Sequence, residues 1–106
     1  MDPHAGDVRK DVIDVAFVGL GRIASLLEDD PLREKPASHA GAVAAHPECR
    51  IRGGYDSDTE RNRLFARRWR VPVYGSFQAM LEDTRPGVLV IATDPDSHER
   101  YLCDAA

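Results

Sequence analysis

Hydrophobic residues gather in two nearly continuous runs, at residues 12–18 and 88–92, and both runs are rich in Val. A short continuous apolar run is typical of a strand that is covered on both faces. Residues 50–55 and 71–74 form two shorter runs, which predict further strands. The first of these is weak because it contains two adjacent glycines, Gly53 and Gly54.

Polar and apolar residues between these runs alternate with helical spacing. Helices are predicted at residues 22–27, 39–46, 57–69 and 76–84, and from residue 96 onward. Ser57 and Glu60 have the spacing of a capping box, which predicts that Ser57 is the N-cap of the third helix. Residues 28–38 are charged and contain two prolines, so a loop is expected between the first two helices.

Strands that alternate with helices imply right-handed crossovers and a parallel sheet. We therefore predict an α/β fold, a Rossmann-type open parallel sheet with strand order 3-2-1-4. The two apolar strands are expected at the centre of this sheet. The chain has 106 residues, the length of one domain. We expect a flexible lead-in over residues 1–11 and a partial domain over residues 12–106, truncated after the fourth strand and its helix.

Composition and charge exclude several classes of protein. Hydrophobic residues make up 42% and charged residues 30% of the chain, as in globular proteins. The net charge of -4 argues against nucleic acid or an anionic membrane as a partner. The N-terminus is polar and no apolar run approaches the ~20 residues of a membrane span, so a cytoplasmic protein is expected. Cys49 and Cys103 form no metal-binding motif, and free thiols are expected.

Glycines follow the first predicted strand directly. Gly19, Gly21 and Ala24 fit the pattern G-x-G-x-x-G/A. In that pattern the first glycine permits a tight turn, and the second lets a pyrophosphate approach the backbone at a helix N-terminus. A purely structural turn is the alternative. The position between a strand and a helix favours dinucleotide binding.

Asp56 follows the second predicted strand, where a carboxylate can accept both hydroxyls of an adenosine ribose. It stands 37 residues after Gly19, whereas the usual spacing is ~20. An insertion at residues 28–38 would account for most of the surplus. Alternatively, Asp56 belongs to a turn with Ser57 and Asp58.

The loop after the fourth strand is the third candidate, because loops at the carboxyl ends of parallel strands line the ligand crevice. Thr93 and His98 either face the cofactor there or belong to a helix cap with a surface histidine. Five arginines crowd the third helix and are interpreted as a solvated face, with Arg61 alone placed near an adenine. They are Arg61, Arg63, Arg67, Arg68 and Arg70.

Together these motifs resemble the glucose–fructose oxidoreductase / inositol dehydrogenase / MocA family. The residues that carry the resemblance are Gly19–Ala24, His39, Tyr55, Asp56, Ala92, Thr93 and His98. The resemblance implies the nucleotide-binding part of an NAD(P)-dependent oxidoreductase that acts on a sugar or cyclitol by hydride transfer. It implies that Gly19, Gly21, Arg22 and Ile23 meet the pyrophosphate and Asp56 the ribose, while Thr93, Pro95 and His98 lie on the nicotinamide side.

The chain departs from the family pattern in three places. Asp94 brings a negative charge near an anionic cofactor, and residues 28–38 interrupt the first helix. The sequence also stops before the strand that precedes the family's Glu-Lys-Pro motif. Its own Glu34-Lys35-Pro36 lies between the first two strands, so Lys35 is assigned no catalysis and the chain alone is expected to be inactive.

Asp56 predicts a preference for NAD over NADP, because a 2′-phosphate would face like charge. The parent enzyme is expected to be a homo-oligomer, with no metal site in this chain. Two other readings stay open. One is a non-catalytic binding module for a dinucleotide, an adenine nucleotide or an acyl-CoA. The other is a fragment that binds nothing well.

Overall fold

A computed structural model describes residues 12–22, residues 24–93 and residue 103. It contains three strands: β1 (Ile13–Val18), β2 (Cys49–Tyr55) and β3 (Val88–Ile91). One short 3₁₀ helix (Leu26–Asp29) and three α-helices lie between them. The α-helices are α1 (His39–Ala45), α2 (Thr59–Trp69) and α3 (Phe77–Thr84).

The three strands form one parallel sheet in the order β2-β1-β3, which confirms the predicted α/β fold. Val15 pairs with Ile51 on one side and with Val88 on the other. The next pair in β2 is Ala16 with Gly53, so Arg52 is bulged out of the register. Among the described strands β3 lies at an edge beside β1, in agreement with the predicted order 3-2-1-4.

The predicted third strand is reduced to one parallel bridge between Gly54 and Val73. Gly54 N–H donates to the Pro72 carbonyl, and Tyr74 N–H donates to the Gly54 carbonyl, both at 3.2 Å. This segment therefore lies beside β2, where the predicted strand order puts it. Because proline lacks an N–H group, Pro72 cannot donate to a longer ladder.

A helix was predicted at residues 22–27, but the described residues 24–27 of this segment do not form an α-helix. Ser25 N–H and Leu26 N–H both donate to the Gly21 carbonyl, at 3.0 and 3.1 Å, and the 3₁₀ helix follows. At Asp30 the backbone becomes extended, with φ -79° and ψ 114°. Asp30 precedes Pro31, and the proline ring disfavours the helical conformation of the residue before it.

Helix α2 begins one residue later than the capping-box pattern predicted. The N-cap is Asp58, not Ser57, and its carboxylate accepts from the N–H groups of Glu60 and Arg61 at 2.9 and 3.2 Å. A carboxylate both bonds the free amides and complements the positive helix end, which favours it over a hydroxyl. Ser76 caps α3 as predicted, accepting from Ala79 N–H.

The core covers both faces of β1, because its side chains alternate between the two faces. One cluster lies against α1 and α2 and comprises Val15, Phe17, Leu20, Ala40, Ile51 and Phe65. The other lies against α3 and comprises Ala16, Val18, Phe77 and Met80. Strand β1 is thus held rigidly up to the point where it meets Gly19. Within the described part of the chain, no helix has the length and apolar character to cross a membrane.

Candidate nucleotide-binding site

The carboxyl ends of all three strands meet at Gly19. Gly19 N–H donates to the Tyr55 carbonyl at the end of β2, at 2.9 Å. Ala92 N–H, just after β3, donates to the Val18 carbonyl at 2.8 Å. In open parallel sheets this is the edge at which ligands bind. The glycine turn, Asp56 and Thr93 therefore lie at one edge of the sheet.

Gly19 is the residue that permits this close approach. Its φ is +91°, a conformation that residues with a side chain rarely adopt. A Cβ atom at this position would lie 2.6 Å from the Ala92 carbonyl carbon and 2.7 Å from Thr93 N. Glycine is therefore required both by the turn and by the packing of β1 against the backbone that follows β3. The same packing brings Thr93 next to the turn.

The Asp56 carboxylate ties the end of β2 to the glycine turn. Its Oδ2 accepts from Leu20 N–H and its Oδ1 from Asp58 N–H, both at 2.8 Å. The side chain is only 9% exposed. The turn with Asp58 that the sequence offered as an alternative is thus present. Each carboxylate oxygen can still accept a second hydrogen bond, because an ionised carboxylate has about four acceptor positions.

Asn62 fixes the backbone of Asp56 from the first turn of α2. Its Oδ1 accepts from Asp56 N–H at 2.9 Å, and its Nδ2 donates to the Asp56 carbonyl at 2.7 Å. Sequence reasoning did not find this residue. An uncharged amide in a helix otherwise dense in arginine was the available signal.

Arg61 lies over the glycine turn. Its Nη1 is 3.4 Å from the position of a Cβ atom on Gly21 and 3.8 Å from Asp56 Oδ2. Its side chain is 47% exposed. The sequence predicted Arg61 near an adenine, and in the structure its guanidinium lies beside the position that a Cβ atom on Gly21 would occupy.

The remaining predicted site residues are distributed as follows. Arg22 is exposed on the turn, and Thr93 is half-buried beside Gly19. His39 is the first residue of α1 and is exposed. Ile23, Pro95 and His98 lie outside the described residues, as do Asp94 and the helix predicted after it.

Two side chains that sequence reasoning missed support the segment after the turn. Ser25 Oγ accepts from Trp69 Nε1 at 2.8 Å, which joins this segment to the end of α2. The carboxylate of Glu28 is buried and accepts from Ser38 Oγ and Ala37 N–H at 2.8 and 3.0 Å. These bonds connect both ends of the charged loop.

The pKa of Glu28 is the balance of opposed effects. Burial by itself raises the pKa of this carboxyl, but the hydrogen bonds from Ser38 and Ala37 and the charge of Lys35 lower it. The second group of effects is larger, so the pKa lies below its ordinary value. Glu28 is therefore ionised at neutral pH, and it is the ionised carboxylate that accepts the hydrogen bonds from the loop.

A parallel sheet with a glycine turn after β1 and an acid after β2 defines a Rossmann-type NAD-binding segment. The chain belongs to the Gfo/Idh/MocA family of oxidoreductases: the model of that family's NAD-binding Rossmann fold matches residues 13–106. No curated protein matches the chain.

Solved structures show the same fold. GenD2 of gentamicin A biosynthesis, solved in complex with NAD, has a TM-score of 0.69 and 23% identity over 89% of this chain. An NAD-binding protein from Listeria innocua has a TM-score of 0.69 and 24% identity over 88% of this chain. An oxidoreductase from Desulfitobacterium hafniense, described as NADPH-dependent, has a TM-score of 0.71 and 18% identity over 89% of this chain. The chain spans 24% of the length of each.

Proposed function

We propose that this chain is the nucleotide-binding segment of an NAD(P)-dependent oxidoreductase that acts on a sugar or cyclitol by hydride transfer. When bound, the dinucleotide supplies the centre that accepts or donates the hydride. The residues of this chain bind and orient it. That this chain carries no catalytic residue remains a prediction, as does the start of the domain at residue 12. A homo-oligomeric assembly and a cytoplasmic location remain predictions about the whole protein.

One observation supports the proposal above the others: Gly19 and Asp56, distant in sequence, are joined through the 2.8 Å hydrogen bond from Leu20 N–H to the carboxylate. The bond holds the glycine turn and the acid side by side at the carboxyl edge of the sheet. A dinucleotide needs this pairing, because its pyrophosphate and its adenosine ribose are bound by neighbouring strand ends. We assign the pyrophosphate to Gly19, Gly21, Arg22 and Ile23.

We further propose that NAD is preferred over NADP. Asp56 would accept from the ribose hydroxyls of NAD, and a 2′-phosphate would meet this carboxylate in a nearly water-free position. Asp58 is close by and adds to the repulsion. Like charges brought together cost several kcal/mol when desolvated. We expect NAD to bind roughly ten to a hundred times more tightly.

Calorimetric titration with NAD, NADP, ATP and an acyl-CoA tests both statements. Binding of NAD but not of acyl-CoA supports the dinucleotide assignment, whereas a preference for acyl-CoA or ATP would support the non-catalytic binding module. Thr93, Pro95 and His98 are assigned to the nicotinamide side. Replacing Thr93 with Val should therefore weaken NAD more than ADP-ribose.

The variant Asp56→Ser tests the preference for NAD. It should weaken NAD and strengthen NADP, so that the ratio of the two Kd values approaches one. Asp83→Ser is the control, since Asp83 lies on α3 and bonds Tyr74 instead. The variant also loses the hydrogen bond from Leu20 N–H, and this loss should weaken NAD and NADP to the same extent. A change in the ratio of the two Kd values therefore reports on cofactor selectivity and not on folding. Equal affinities of the unmodified chain for NAD and NADP would show that Asp56 does not select between them.

A further inference from the structure

We propose that Arg61 binds the pyrophosphate of the dinucleotide and supplies the positive charge that a helix N-terminus supplies in the usual form of this site. The inference rests on the proposed function and adds to it a residue and a contact. Three features of the described residues carry it: the backbone after the turn, the position of the guanidinium, and the partners of the neighbouring arginines.

The described backbone after Gly21 contains only a short helical segment. In dinucleotide-binding domains the pyrophosphate lies at the N-terminus of the helix that follows the glycines, where free N–H groups and aligned peptide dipoles attract it. Here the amides of Ser25 and Leu26 share the Gly21 carbonyl, and a four-residue 3₁₀ helix ends in extended backbone at Asp30. Leu27 N–H donates to the Arg22 carbonyl at 2.9 Å, so the segment makes about one turn before the 3₁₀ helix. It therefore aligns fewer peptide dipoles with the site than a long α-helix does.

The guanidinium of Arg61 lies where the missing charge is needed. Three of its atoms, Nη1, Cζ and Nη2, are 3.4, 3.5 and 3.8 Å from the Cβ position of Gly21. Gly21 is the position at which a pyrophosphate approaches the backbone. A phosphate group bound at Gly21 would therefore lie within reach of this guanidinium.

The ion pair between Arg61 and Asp56 is loose. The distance of 3.8 Å from Nη1 to Asp56 Oδ2 is an ion pair and exceeds hydrogen-bond length. Asp56 is already bonded by Leu20 N–H and Asp58 N–H, so it does not require Arg61. The paired N–H groups of a guanidinium match the oxygens of a phosphate. Binding would replace a loose ion pair with charge-assisted hydrogen bonds.

The other arginines of α2 lie away from the glycine turn. Arg63 is bonded to Glu60, and Arg68 is paired with Asp29 at 2.9 Å and lies over Trp69. Arg67 lines a separate cleft with Asp29. Among the described arginines of this helix, Arg61 is thus the one directed at the glycine turn.

Titration of Arg61→Met with ADP-ribose, NAD and adenosine tests the inference. ADP-ribose contains the pyrophosphate and adenosine does not, so the pair isolates the contact. A charge-assisted bond lost from a half-exposed site should raise the Kd of ADP-ribose and of NAD roughly tenfold. The Kd of adenosine, followed by ligand-observed NMR, should change less than about twofold. Arg67→Met removes the same charge from the same helix and should leave all three values unchanged.

The inference is overturned if Arg61→Met leaves ADP-ribose binding unchanged, or if it weakens adenosine as much as ADP-ribose, which would place Arg61 on the adenine. If Arg61→Met does not fold, as judged by circular dichroism, Arg61→Gln is subject to the same criteria. An unmodified chain that binds neither NAD nor ADP-ribose would overturn the proposed function as well. Normal NAD binding with no effect of Arg61 would overturn this inference alone.

Discussion

Replacing Gly19 with Ala should destabilise the protein more than any other single methyl-group addition at the carboxyl edge of the sheet. The new Cβ would lie 2.6 and 2.7 Å from the carbon and oxygen of the Ala92 carbonyl and 2.7 Å from Thr93 N. All three are backbone atoms, so no side chain can rotate away. The φ of +91° is in addition strained for any residue that has a Cβ.

The magnitude follows from two costs. Holding a non-glycine residue at positive φ costs about 1–2 kcal/mol, and forcing an extra carbon into packed backbone costs about 1–3 kcal/mol. We therefore expect a loss of about 3 kcal/mol in the free energy of unfolding. With an unfolding entropy of about 2.1 cal/mol/K per residue, this corresponds to a fall in Tm of about 10–15 °C.

Thermal and urea unfolding, followed by circular dichroism, measure this loss. Gly75→Ala is the matched control, because a Cβ at Gly75 meets nothing within 4 Å and its φ is not in the strained region. That variant should stay within about 0.5 kcal/mol of the unmodified chain. If Gly19→Ala unfolds at the same temperature as Gly75→Ala, the conclusion that the turn packs closely against the backbone after β3 is wrong.

Three further predictions concern the loop and the activity. Because the folded pKa of Glu28 lies below its ordinary value of 4.5, Glu28→Gln should cost stability at pH 7, and its difference from the unmodified chain should shrink in urea titrations as the pH falls below about 4.5. Lys35→Ala should leave the activity of the whole enzyme intact, since Lys35 Nζ donates to the carbonyls of Asp30 and Arg33; loss of turnover with normal NAD binding would contradict this. The chain alone should reduce no NAD with any sugar or cyclitol, and a steady rise in NADH absorbance would refute that prediction.

The apolar runs determined the sheet. Residues 13–18 and 88–91 form parallel neighbours, as their apolar sequences predicted. Strand β1 is buried from Val15 to Val18 and packs on both faces, as expected of a continuous apolar run, whereas β3 is only half-buried and Val88 is exposed. The glycine pattern likewise predicted a turn after β1, and the structure places one there. The strands and the turn depend on residues that are adjacent in the chain, so the sequence alone is enough to predict them.

The prediction failed where the outcome depends on distant groups. Helical composition at residues 22–27 predicted a helix, but only a 3₁₀ helix forms, at Leu26–Asp29. The segment is held instead by bonds from Trp69 to Ser25 and from Ser38 to Glu28.

The candidate site shows the same division. The sequence by itself predicted roles for Gly19, Gly21 and Asp56, because a pyrophosphate needs close approach to a glycine backbone and a ribose needs a hydrogen-bond acceptor. Only the tertiary structure decided that Asp56 bonds Leu20 and that Arg61 lies over Gly21. These contacts arise because β2 lies beside β1 and α2 starts immediately after β2. Residues far apart in the chain are then brought within hydrogen-bond range, and no local pattern encodes their distance.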